Sequence, residues 1–227
     1  MSHPLAHNSP SPRSEYPQTV SWLLRLTLWG LMLAAGWMVF SQWEQIPHLP
    51  LFLYGGVVSV YLIAERRAYR GSPQNSTRAN DALRYWLAFF YYLILLGAPL
   101  FYTFQPRFNL VFSLAGALLA LAGTALRVWS VATLGSSFSG HIETWPNQAL
   151  VTSGPYRFIR HPAYAGSILQ TIGLPLILNV WPLLLGCAVL LALFVRRIQL
   201  EEIFLNREFP GYQHAMQSIP RLIPGIW

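Results

Sequence analysis

A helix needs about 20 apolar residues to cross a membrane core of about 30 Å, and this chain supplies such runs one after another. Four stand alone, at residues 20–40, 49–64, 85–104 and 110–131. A fifth apolar block, residues 165–195, is too long for one crossing and is interrupted by Asn179-Val180-Trp181-Pro182. Proline removes a backbone donor and asparagine favours a turn, so the block reads as a hairpin of two short, tilted spans. The expected fold class is therefore all-α: a multi-pass transmembrane helical protein of about six spans, ending in a helical hairpin.

Composition agrees. Of the 227 residues 54% are apolar and 10% charged, against about 25% charged in a typical soluble domain. The net charge is +7, and all 15 basic residues are arginine. They flank the apolar runs instead of forming a stripe on a soluble surface, which favours a membrane setting and argues against nucleic acid. Arg66, Arg67, Arg70, Arg78 and Arg84 lie between spans two and three. Arg157 and Arg160 lie between spans four and five, and Arg196, Arg197, Arg207 and Arg221 follow span six. The opposite side has only Arg107. The positive-inside rule then puts both termini in the cytoplasm.

Residues 1–19, rich in Pro, Ser and His, read as a disordered cytoplasmic tail. The first apolar run lies too far in for a cleaved signal and reads as a retained anchor. The lone Cys187 sits in an apolar run and reads as a small hydrophobe. No metal-ligand spacing is present, and no Gly-rich phosphate loop.

Two polar segments stand out, residues 141–166 and 196–224, and topology places both at the cytoplasmic face. Polar groups beside spans cost desolvation unless paired or wet, so a functional cleft is one explanation. Simpler ones exist for each residue alone. Arg157 and Arg160 suit membrane anchoring. Arg197 suits an i,i+4 pair with Glu201, worth about 0.3–0.5 kcal/mol. Pro162 suits a plain helix start.

The run from Leu150 through Ser153-Gly154-Pro155-Tyr156, Arg160-His161-Pro162, Tyr164 and Gly166 resembles the core motif of the isoprenylcysteine carboxyl methyltransferase family. That family belongs to a wider group with phospholipid methyltransferases. Arg197-x-x-x-Glu201-Glu202-x-x-Leu205, followed by Phe209-x-x-Tyr212, is similar to its C-terminal motif. Gly123, Arg127, Leu134-Gly135 and Phe138 fit the helix and loop before the core. The family commonly has a second Tyr after the FxxY element, where this chain has Ala215 and Met216. The resemblance covers the C-terminal half. It divides the chain into the tail, N-terminal transmembrane helices at 20–109, and a methyltransferase-like catalytic region at 110–227.

The resemblance implies S-adenosyl-L-methionine as cofactor. It implies a pocket formed by Gln148, Ala149, Leu150, Val151, Tyr156, His161, Pro162, Ala163 and Tyr164, with His141 as a polar neighbour and Glu201 closing it. Arg197 is the position matched for substrate contact, and Arg197, Glu201 and Glu202 are the candidate catalytic residues. The residue types suit the ligand, because aromatic faces and carboxylates favour a sulfonium cation. The implied partner is a lipidic or small apolar methyl acceptor entering from the membrane lipids.

A carboxylate acceptor is already ionised at neutral pH, and Arg197 can orient it in a fork. An amine would need a proton acceptor, for which Glu202 and His161 are candidates, and a thiol would need its thiolate stabilised. An arginine without a dedicated base favours a carboxylate or thiolate. Two other readings are a nicotinamide-dependent membrane reductase of related fold and a non-enzymatic membrane protein. Transporters place charge near the midplane, whereas here it lies at the span ends.

Overall fold

The computed structural model describes residues 18–68, 76–79, 81–146, 148, 150–223, 225 and 227. The expected tail lies outside these residues except for Gln18 and Thr19. Each of the six apolar runs forms a helix: α1 Gln18–Ser41, α2 His48–Ala68, α3 Leu83–Phe104, α4 Leu110–Leu134, α5 Pro162–Ile177 and α6 Leu183–Glu208. A short α7, Tyr212–Met216, follows. Two two-residue strands, β1 Thr77–Arg78 and β2 Glu143–Thr144, pair antiparallel with Thr77 opposite Thr144.

Among the described residues four helical stretches are long and apolar enough to cross a membrane: His48–Arg66, Leu83–Phe104, Leu110–Ser137 and Leu183–Glu208. The 16-residue α5 measures about 24 Å at 1.5 Å per residue. It is shorter than a full crossing, so a six-span count is not established by length. Its ends are set by local chemistry. Pro162 occupies the first turn, where its missing N–H costs nothing. At the other end Asn179 adopts a left-handed φ of 56° and its amide donates to Ser113 Oγ on α4 at 3.0 Å. Pro182 then precedes α6. The hairpin break expected at residues 179–182 is where the chain turns.

Apolar burial drives helix association weakly in lipid, where close approach and polar contacts matter more. The closest approach joins α4 and α5. Gly116 and Gly123 on α4 face Gly173 and Gly166 on α5. A Cβ at Gly123 would stand 2.5 Å from both Gln170 N and Gly166 O, and one at Gly166 would stand 2.5 Å from Gly123 O. A Cβ at Gly116 would meet Ile177 N at 2.6 Å. Backbone touches backbone along the whole contact. The remaining helices share one core, with Ile94, Ala98 and Tyr102 of α3 and Leu190 and Ile198 of α6 packed around Leu174 and Ile177 of α5. Large apolar side chains such as Trp37, Val111 and Leu185 point outward.

Gly166→Ala is expected to lower stability by about 1–3 kcal/mol, as overpacking does. Gly55→Ala, whose Cβ would meet nothing within 4 Å, is the control and should leave stability unchanged. Thermal unfolding in detergent measures both.

Candidate active site

The loop between α4 and α5 and the C-terminal end of α6 meet at one end of the bundle. Between them lies a pocket of about 920 Å³ that includes an open mouth.

His161 immediately precedes α5, and Tyr164 sits in its first turn. Their rings stack in parallel, 5.5 Å apart with 1° between planes. The Tyr164 hydroxyl donates to Glu201 Oε2 at 2.6 Å, which ties α5 to α6. Glu201 keeps 24% of its side chain exposed, toward the pocket. His161 lies between two carboxylates, with Nδ1 3.9 Å from Glu201 Oε2 and Nε2 3.4 Å from Glu202 Oε1.

Glu202 faces the other way, into an ionic hub. Arg160 donates to its Oε1 at 3.0 Å and Arg221 to its Oε2 at 2.8 Å. The segment carrying Arg221 is fastened to the loop before α5: Arg160 N–H donates to Pro220 O at 2.9 Å and His161 N–H to Arg221 O at 3.0 Å. Arg160 Nε also reaches Ile219 O at 2.7 Å. The C-terminal segment is thereby held against the pocket floor, with Tyr212 and Met216 of α7 in the wall.

Of the residues expected at the cofactor, His141, Gln148, Leu150, Val151, Tyr156, His161, Ala163, Tyr164 and Glu201 all line this one pocket. Ala149 lies outside the described residues. Pro162 is fully buried and absent from the wall, because it serves the helix start. Two of the candidate catalytic residues sit elsewhere. Glu202 is buried in its hub, with both oxygens engaged by arginines. Arg197 lies beside the Tyr164 ring, 5.6 Å from its centroid, and is absent from the wall. Its partner is not Glu201, as helical spacing suggested, but Asp81 at 2.8 Å and the Gly140 carbonyl at 2.7 Å. Tyr164 has taken Glu201, and the buried Asp81 gives Arg197 a fuller charge partner than an exposed i,i+4 contact would.

Several wall residues were not expected. Phe138, Ser139, Ile142, Glu143, Leu205 and Phe209 contribute. Phe138, Leu205 and Phe209 belong to the motifs quoted above, which is the signal that marks them. Glu143 accepts from Ser139 and, at 2.6 Å, from Ser76, so the β1 region braces the pocket loop. Arg84 at the start of α3 donates to His141 Nδ1. Burial and the neighbouring Glu201 push the Tyr156 phenol above its usual value, so it is a neutral donor.

Fold and site together define an integral membrane protein with an open-mouthed pocket, lined by both polar and apolar side chains, at one end of its helices. Residues 116–207 match the model of the isoprenylcysteine carboxyl methyltransferase (ICMT) family. The match falls in the C-terminal half and takes in the polar segment 141–166 and part of the segment 196–224. It is 33% identical over 119 residues to a probable protein-S-isoprenylcysteine O-methyltransferase of Oryza sativa subsp. indica, covering 50% of this chain and 62% of that protein. It is 31% identical over 202 residues to the Xenopus laevis protein-S-isoprenylcysteine O-methyltransferase, covering 84% of this chain and 64% of that one. The chain thus matches somewhat less than two thirds of the length of these relatives. A solved structure of the eukaryotic intramembrane Ras methyltransferase ICMT aligns with a TM-score of 0.47 at 21% identity, over 88% of this chain and 95% of that one.

Glu202→Gln is expected to lower stability by about 3 kcal/mol, because it leaves Arg160 and Arg221 without their counter-charge. Limited proteolysis should then cut C-terminal to Glu208 sooner than in the unaltered chain.

Proposed function

We propose that this chain is a membrane methyltransferase that uses S-adenosylmethionine to methylate a carboxylate on an isoprenylcysteine-like or other lipidic acceptor. The observation that carries this reading is the convergence of residues from both polar segments on one pocket, where the Glu201 carboxylate adjoins the stacked His161 and Tyr164 rings. A carboxylate beside aromatic faces suits a sulfonium cation. The match of residues 116–207 to the ICMT family supports the same reaction class, and the names of the relatives support the acceptor class.

The donor set fits the cofactor. Glu201 and Tyr164 would face its cationic end. His161, Tyr156 and Gln148 offer polar contacts for its amino-acid and adenine groups. Ile142, Leu150, Val151 and Leu205 would exclude water. When bound, the cofactor supplies an electrophilic methyl carbon, and the chain's task is to align an oxygen with it. Such positioning is worth several kcal/mol. Arg197, next to the Tyr164 ring, would hold the acceptor's carboxylate. That carboxylate is ionised at neutral pH, so no base is required. The arginine partners of Glu202 fit that reading, since they commit its charge to holding the C-terminal segment.

The arginine distribution supports a cytoplasmic site, both termini inside, and six crossings with α1 and the short α5 included. Region 110–227 would carry the catalytic machinery and 20–109 the supporting helices. A soluble donor then enters from the cytoplasm and a lipidic acceptor from the bilayer.

In detergent, the purified chain is expected to bind S-adenosylmethionine in a calorimetric titration. Glu201→Ala and His161→Ala should each weaken binding about 100-fold or more, roughly 2.7 kcal/mol. Unchanged affinity in both variants contradicts the pocket assignment.

A further inference from the structure

Besides the Glu202 hub, Arg127 and Arg197 each meet a carboxylate at the polar end of the bundle, and the two pairs are built differently. Arg127 on α4 grips Glu65 on α2 through two parallel bonds, at 2.8 and 2.5 Å, and a third N–H reaches Ser167 Oγ at 3.0 Å. That is a locked fork. Arg197 meets Asp81 at a single 2.8 Å contact. Neither Asp81 oxygen lies in line with a donor, and Arg197 Nε has no acceptor. Both side chains are nonetheless buried, Asp81 at 2% and Arg197 at 9% exposure. A buried carboxylate held by charge alone, with unmet hydrogen-bonding capacity on both partners, is costly to keep. Arg197 retains the donors that a better-placed carboxylate would use.

Asp81 comes from the half of the chain outside the family match. It is delivered by the connection between α2 and α3, which is fixed to the pocket loop by the β1–β2 pairing and by Ala79 N–H donating to Ile142 O at 2.9 Å. The chain thus brings a carboxylate of its own to the arginine assigned to the acceptor's carboxylate.

We propose that Asp81 is a tethered stand-in for the acceptor's carboxylate and sets the discrimination between acid substrate and ester product. This rests on the reading of Arg197 as the holder of the acceptor anion. An arriving acid takes Arg197 in fork geometry and displaces Asp81. In the transfer, an electron pair of the carboxylate oxygen forms the new O–CH3 bond while the donor's S–CH3 bond breaks and its pair goes to sulfur. No proton moves. The product ester carries no charge, so Arg197 returns to Asp81 and the ester is released. Asp81 is a specificity-determining residue acting through Arg197 and touches no reacting atom.

The test is equilibrium binding of an N-acylated S-prenylcysteine and of its methyl ester to the full chain in detergent. Asp81→Asn should tighten the acid at least about tenfold and leave the ester unchanged, whereas Asp81→Glu should keep the unaltered acid–ester ratio. A merely structural role would weaken both ligands or neither. Acid affinity that stays the same or falls in Asp81→Asn overturns the proposal, as does equal tightening of acid and ester. The unaltered chain gives a second readout that needs no variant. Backbone hydrogen exchange across residues 76–82 should rise when the acid binds and not when the ester does, and equal exchange with both ligands overturns the idea. A parallel titration with S-adenosylmethionine separates the two failures. Missing cofactor binding counts against the methyltransferase reading, while the acid–ester comparison reports on Asp81 and Arg197 alone.

Discussion

Backbone contact between α4 and α5 is the constraint on which the site depends. With glycine at 116, 123, 166 and 173, no side chain separates the two helices, and a Cβ at any of the four would stand within 2.7 Å of the partner's backbone. In lipid, where apolar area gives little net drive to association, such close approach is a main source of helix affinity. It fixes α5 in height and rotation. The position of His161, Pro162 and Tyr164 follows from that, because all three belong to the start of α5. Gly166 lies one turn further along the same helix and packs against the backbone of Arg127, whose guanidinium binds Glu65. The glycine contact and the Arg127–Glu65 fork therefore brace one region.

Polar chemistry then attaches α6 and the C-terminus to this frame. Successive glutamates on α6 point to different partners. Glu201 meets Tyr164 and the pocket, while Glu202 gathers Arg160, Arg221 and His161. One carboxylate is left half-open to a ligand and the other is saturated by basic groups. Under the proposed function, the division lets adjacent, chemically identical residues serve ligand binding and architecture separately. The C-terminal segment is held by the saturated one, so the wall contributed by Tyr212 and Met216 depends on Glu202 without Glu202 touching the pocket.

The helices were legible in the sequence because length and apolarity are local properties, and the hairpin turn was legible because Asn179 and Pro182 act locally too. The short length of α5 was legible for the same reason, whereas α6, expected to be short too, runs 26 residues to Glu208 because its helix continues past the apolar block through Arg196-Arg197 and the glutamates. At the site, the residues of the pocket loop and Glu201 were readable from the motif resemblance. The partners of Arg197 and Glu202 were not. Helical spacing offers Glu201 to Arg197, but Asp81 takes that place from more than a hundred residues away in sequence. Arg160 looked like one more positive-inside arginine, and only the three-dimensional approach of residues 219–221 shows it holding the C-terminal segment. Periodicity reports which face a residue occupies on its own helix, and carries no information about which distant charge will reach it.

The account's central claim is that this pocket delivers a methyl group to a carboxylate held at the membrane. Its most direct test is transfer of labelled methyl from S-adenosylmethionine, by the purified chain in detergent or lipid, to a panel of prenylcysteine, phospholipid and thiol acceptors. The account expects label on the prenylcysteine acid as a base-labile methyl ester, and strongly reduced label with Arg197→Ala. Label on the phospholipid amine or the thiol with none on the acid, or no transfer to any acceptor by a chain that binds the cofactor, would contradict it.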